Sequence, residues 1–143
     1  MMKKLVFISL FHSVLLLPAA KAQDAMPDSL QLHKGKKVAA SQVGTASYYS
    51  DKFEGRKTAT GRIFTQKKMT AASNRFPLNC WVKVTNLSNK KSVIVHIIDR
   101  MHPRNPRLID LSRLAAGKLG YIGKGLTKVR VEYLGRKKPA DAD

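Results

Sequence analysis

A compact β-barrel is the fold this chain predicts, and three observations predict it. Short runs with β-type patterning dominate, only one segment shows convincing helical spacing, and all of them fall within residues 44–135. Many short strands with one or two small helices fit a closed barrel better than a sandwich or an α/β sheet.

Taken in order, "GTASYYS" is a short strand opened by Gly44. A second, shorter helical turn is expected in "TAASNRF". "WVKVTNL" alternates, with Val82 and Val84 on one face and Lys83 on the other. The polar turn "SNKK" leads into "SVIVHII", so the two arms read as a hairpin. The near-continuous apolar second arm predicts burial on both faces. "DLSRLAAGKLG" is the one clear helix: Leu111, Leu114, Ala115 and Leu119 fall at helical spacing. Asp110 or Ser112 can cap its start, and Gly120 suits the left-handed position that ends it. "LTKVRVEYL" alternates again, with Val129, Val131 and Tyr133 inward.

The ends read differently. Residues 1–22 have a positive start, "MMKK", an apolar run, "LVFISLFHSVLLL", and a small-x-small ending in "PAAKA", the pattern of a cleaved signal peptide. The apolar run is short for a transmembrane anchor, and no cysteine follows it for lipid attachment. Residues 23–43 are polar and read as a flexible leader, and 136–143, "RKKPADAD", as a disordered tail. The expectation is an exported chain, periplasmic, envelope-bound or extracellular.

Removing residues 1–22 takes away Lys3, Lys4 and Lys21 and no acid, so the formal charge falls from +18 to +15. A protein so basic attracts polyanions at long range. Anionic wall polymers and lipid headgroups are open as partners. Nucleic acid is not expected, because neither an RNA-binding aromatic signature nor a helix-turn-helix pattern is present. Cys80 is the only cysteine, so no internal disulfide forms, and its setting in "LNCWVKV" predicts a small buried hydrophobe. The scattered histidines lack zinc spacing, and no metal or cofactor is implied.

The stretches "GTASYYS", "FEGRKTATG", "MTAAS", "FPL" before "WVKVTNL", "IIDR" and "RLIDLSRLAAGKLG", in that order and spacing, resemble the rare-lipoprotein-A (RlpA) family across residues 44–134. The resemblance implies a six-stranded double-psi β-barrel related to expansins. It also implies a lytic transglycosylase acting on the glycan strands of peptidoglycan. Of three positions that the family associates with activity, the aspartate of "DRGP" is retained as Asp99, although "RMHP" follows it here. Arg62 stands where the family has glutamate, and Ser73 where it has histidine.

A lytic transglycosylase makes lighter demands than a hydrolase, which usually needs two carboxyl groups. The sugar's own 6-hydroxyl attacks, so one residue acting as acid and then base suffices in principle. Asp99 is the expected general acid/base. The alternative is that Arg100, Arg104 or Arg107 pairs with it and it merely ties down a turn, leaving a catalytically degenerate peptidoglycan-binding barrel. An expansin-like loosening of glycan contacts without cleavage is a third option. Several further residues are expected near the groove. Asp110 corresponds to a functional aspartate of the expansins, but also sits where a helix cap is expected. Glu54 offers a loop carboxylate, His102 a histidine three residues past Asp99, and Ser73 a hydroxyl without a visible base. Tyr48, Tyr49 and Trp81 are suited to stack on sugars, at least one of them belonging to the core. An Arg62 pointing into the groove would favour anionic ligand groups.

Overall fold

The computed structural model describes residues 30–33 and 36–143. The expected signal peptide, 1–22, lies outside the described residues. Two short strands, β1 (Leu30–His33) and β2 (Lys36–Ala39), pair antiparallel. The leader expected to be without structure thus contains a paired segment, and the period-two spacing of Leu30 and Leu32 is the pattern that accompanies it.

Six strands then close a barrel: β3 (Ser41–Tyr48), β4 (Thr70–Ala72), β5 (Trp81–Asn86), β6 (Ser92–Asp99), β7 (Ile109–Leu111) and β8 (Thr127–Gly135). Their order around the barrel is β3-β7-β4-β6-β5-β8. The β3–β7 and β4–β6 pairs are parallel and the rest antiparallel. β3 starts at Ser41, three residues before the expected boundary at Gly44. Gly44 itself faces a close approach, because a Cβ there would lie 2.7 Å from Leu108 Cβ.

The alternation read from the sequence becomes the barrel core. Val82, Val84, Val95, Ile97, Val129 and Val131 are fully buried, joined by Ile109 and Leu111 from β7. Tyr133 is only half-buried. Helix α1 (Arg113–Leu119) adds Ala115, Ala116 and Leu119. Ser112 caps this helix, its Oγ accepting from Ala115 N at 3.2 Å, and Gly120 ends it at φ 76°. Asp110 is therefore not the cap; it lies in β7, paired with β3 and β4. Leu119 O accepts from Asn86 Nδ2 and Asn89 Nδ2, which ties the β5–β6 turn to the helix end.

The helical turn expected in "TAASNRF" is instead β4 and the bend after it. Ala71 and Ala72 are small enough to lie between β6 and β7, whose backbones supply the ladder bonds. Among the described residues a 3₁₀ turn, Asp51–Phe53, is the other helical piece. Residues 136–143, expected to fray, fold back: Lys118 Nζ meets Asp143 Oδ2 at 2.6 Å and Lys138 lies over the Trp81 ring. A chain this basic gives an acidic segment many cations to dock on. Among the described residues no helix is long and apolar enough to cross a membrane.

Candidate active-site cleft

Asp99 ends β6, and Asp110 lies in the middle of β7. Between those strands runs β4, where Ala72 is in register with Asp99 on one side and Asp110 on the other. Neighbouring strands are about 4.8 Å apart, so the two acidic residues are about 10 Å apart at their Cα atoms. Ala72 is buried and forms part of the floor of a cleft of about 500 Å³ onto which both aspartates open. Tyr48, Tyr49 and His102 line the same cleft.

No arginine side chain pairs with Asp99 among the described ion pairs. Its Oδ1 accepts from Ala59 N at 2.8 Å and Arg100 N at 2.9 Å, and its Oδ2 accepts from Tyr49 Oη at 2.8 Å. Three donors leave about one of the carboxylate's four acceptor positions for a ligand. The Arg100 guanidinium turns away, donating from Nη1 to the carbonyls of Ser73 and Phe76. The Asp99–arginine pair that would have made the residue a turn anchor is thus absent here.

Tyr49 is the side chain among the three donors that orient Asp99. It is buried, stacked on Phe64 at 4.2 Å and edge-on to Phe53. Burial above all, then the neighbouring Asp99 charge, pushes its phenol far above the ordinary tyrosine range. The hydroxyl therefore stays protonated and donates to the carboxylate at any physiological pH. Tyr48 is half-buried, and its hydroxyl donates to Ile122 O at 3.1 Å. Of the two tyrosines suited to stack on a sugar, Tyr49 belongs to the core.

Asp110 is held differently. Arg107 grips it bidentately, Nε to Oδ1 at 2.8 Å and Nη2 to Oδ2 at 2.9 Å. That hydrogen bonding raises the Arg107 pKa further. With both oxygens occupied, Asp110 serves to set a cation in the cleft wall. His102 is exposed, and its Nδ1 accepts from Arg104 N at 3.2 Å.

Four of the expected residues, Ser73, Glu54, Arg62 and Trp81, are not in the cleft, Trp81 lying with Arg62 on another groove. Ser73 is fully buried beneath it, donating from Oγ to Leu108 O at 2.8 Å, while its N–H bonds Asp99 O at 3.2 Å. Glu54 lies on the surface, where the Gln66 N–H at 2.7 Å holds its carboxyl below the usual range. Arg62 lines a separate groove and meets His96 Nδ1 at 3.1 Å. Burial first, then the Arg62 charge, holds the His96 pKa below its ordinary value, so the ring accepts this bond. Sequence reasoning missed Ala59, whose contribution is a backbone N–H that no side-chain motif announces, and Ala72, whose only signal was small size.

A family profile described as lytic transglycolase matches residues 41–131. The chain is similar to the endolytic peptidoglycan transglycosylase RlpA of Pasteurella multocida, 52% identical over 91 residues, or 64% of this chain and 31% of the relative. It is likewise similar to the protein of that name from Pseudomonas aeruginosa strain PAO1, 51% identical over 90 residues, covering 63% and 26%. The chain thus spans about a third or less of these curated relatives. Among solved structures it is similar to the Streptomyces papain inhibitor, with a TM-score of 0.54 at 21% identity, covering 68% of this chain and 96% of that one. An apo expansin of Clavibacter michiganensis matches with a TM-score of 0.54 at 22% identity, covering 70% and 52%. These two likenesses carry the fold alone, a six-stranded double-psi barrel.

Proposed function

The chain belongs to the lytic transglycolase family of double-psi β-barrels, and from that premise we propose that it is an exported envelope protein that cleaves peptidoglycan glycan strands in the Asp99 cleft. The observation that carries this reading is the position of Asp99: in no ion pair with an arginine side chain among the described residues, oriented by three donors, and open to a cleft of about 500 Å³.

In this reading a glycan strand lies over Ala72. Asp99 gives a proton to the glycosidic oxygen as the C1–O bond breaks. The 6-hydroxyl of the same sugar attacks C1 and loses its proton to Asp99, which restores the residue and leaves an anhydro-sugar end. No water is placed and no second carboxylate is required. Tyr49 keeps its proton throughout, so the acid–base work falls on Asp99 and Tyr49 holds it in one orientation. Arg107, set by Asp110, offers a cation to carboxylates that the glycan carries. The basic N-terminal stretch and apolar run at residues 1–17 support export.

A second reading is favoured by Arg62 and Ser73. They stand at two positions that the family associates with activity, and both are engaged outside the cleft. This makes a peptidoglycan-binding barrel without catalysis the rival. The test is incubation of the purified chain with naked glycan strands and mass spectrometry of the products. Anhydro ends that vanish in Asp99→Asn are expected. Retention on cell walls with no new ends would reject cleavage and favour the binding module.

A further inference from the structure

A second groove, of about 740 Å³, lies on the barrel and shares no lining residue with the Asp99 cleft. The two are close: His96, in this groove, precedes Asp99 by three residues on β6. Six cationic side chains line it: Arg62, Lys67, Lys68, Lys118, Arg136 and Lys138. Among the described residues lining the groove, the acidic one is Asp143. Such a concentration of one sign on a concave wall focuses the field and draws in anions.

Two features make this more than a solvated basic patch. First, the groove has a built wall: Trp81 stacks on His96 at 4.5 Å and 11°, and His96 is in turn held by Arg62 at 3.1 Å. Thr70 also lines the groove; it is 8% exposed, and its Oγ1 is the buried side-chain polar atom left without a partner among the described residues. A buried hydroxyl in that condition is costly unless something bonds it. Second, an oxyanion already sits at the groove's exposed edge. Asp143 reaches Lys118 Nζ at 2.6 Å, and Asp141 lies beside it with Lys83 and Lys118 in the adjoining pocket. The segment that carries them crosses Trp81 through Lys138, 5.9 Å from the ring centroid. The chain's own acidic segment is thus a specimen of the ligand.

We infer that this groove is a binding site for oxyanionic groups carried on an extended polymer, and that Asp143 partly occupies it and competes for it. Binding is electrostatic and open to solvent, so it weakens with salt. Displacing Asp143 costs one exposed ion pair, which bounds the competition to about two- to fivefold in affinity. The site does not depend on cleavage in the other cleft, and a ligand bound here leaves Asp99 accessible.

The chain carries its own reporter, since Trp81 is the only tryptophan. Its emission is followed in the full chain while short oligoglutamate or short linear polyphosphate is added, with oligoglutamine as the uncharged control. A saturable change with an anionic chain and none with oligoglutamine is expected; whichever anion binds tighter identifies the source as carboxylate or phosphate. Lys68→Gln combined with Lys138→Gln weakens binding severalfold, whereas Lys124→Gln, outside the groove, leaves it within twofold. Asp143→Asn tightens it two- to fivefold. The absence of a saturable signal with both anions overturns the proposal, as does equal weakening by Lys124→Gln. Unchanged affinity in Asp143→Asn overturns the competition.

Discussion

Replacing Tyr49 with phenylalanine removes one oxygen and leaves the ring on Phe64 and Phe53. The lost contact is the 2.8 Å bond to Asp99 Oδ2, while Oδ1 keeps both backbone donors. Because the cleft is open, water can take the vacated position, and the fold should lose only about 0.5–1.5 kcal/mol. For a domain of this size that is a fall in Tm of roughly 3–10 °C. Catalysis has more to lose. A carboxyl anchored through one oxygen can swing, and a charge-assisted bond of this kind is worth about 1.5–3 kcal/mol. If the bond is needed only in the reacting geometry, the rate falls about 10- to 150-fold with KM little changed. The assay is the initial rate of anhydro-end formation from naked glycan strands, with a thermal melt run beside it. Tyr49→Ala would not serve, since emptying the ring site costs about 3–5 kcal/mol and confounds folding with function. A Tyr49→Phe rate within twofold of the parent, at matched folding, would refute the orienting role.

Gly44→Ala forces a Cβ within 2.7 Å of Leu108 Cβ, and a loss of about 1–3 kcal/mol is expected in calorimetry; an unchanged Tm would show that β3 can shift. Ser112→Ala removes the cap on Ala115 N and the donor to Lys68 O, so denaturant unfolding should register about 1–2 kcal/mol, and a value near zero contradicts the capping assignment. Burial pushes the Cys80 thiol up to about 12. A raised folded pKa means that stability is intact below the unfolded value, about 8.5, and is lost above it, at up to about 1.4 kcal/mol per pH unit. Melts between about pH 8.5 and 10, below the tyrosine range, should therefore slope downward in the parent but not in Cys80→Ala; parallel slopes would assign the loss elsewhere. His96 has the opposite sign: its folded pKa is depressed, so stability is full above about pH 6.5 and falls in acid. His96→Gln should flatten the acid limb of the melting curve, and an unaltered limb would show that another group titrates there.

The long strands were legible because their side chains alternate over enough residues to establish a period. Val82 and Val84 on β5 and Val129 and Val131 on β8 announce an inward face without help. Three-residue strands carry no such period. Thr70–Ala72 and Ile109–Leu111 are extended because the flanking backbones offer ladder bonds, which is tertiary information. Asp110 was open to a capping role for a related reason. "IDLS" holds two cap-forming residues, and only the pairing of Ile109–Leu111 with β3 and β4 moves the helix start on to Ser112. The cleft was half legible. Asp99 could be singled out by type and place, but two of its three donors are backbone N–H groups that any residue supplies. The sequence also placed Arg100 beside Asp99 and invited a pair. Successive side chains of an extended segment point to opposite sides, which sends that guanidinium to the carbonyls of Ser73 and Phe76.

Arg62 and Ser73 are better understood from what they hold than from what they replace. Ser73 is fully buried and bonded to Leu108 O, so an imidazole at that position would need space that the packed residues around it now fill. Arg62 donates to His96 and helps keep that ring neutral and flat against Trp81. A glutamate placed there would reverse the electrostatics, favouring protonated His96 and taking one cation from the basic groove. Neither position is an empty socket beside Asp99 awaiting the family residue. Reinstating the glutamate and histidine would first disturb the second groove and the cleft floor, and only then add groups to the site. In the proposed reaction Asp99 is held by Tyr49 Oη, Ala59 N and Arg100 N. Those three donors are what a search for its activity should perturb.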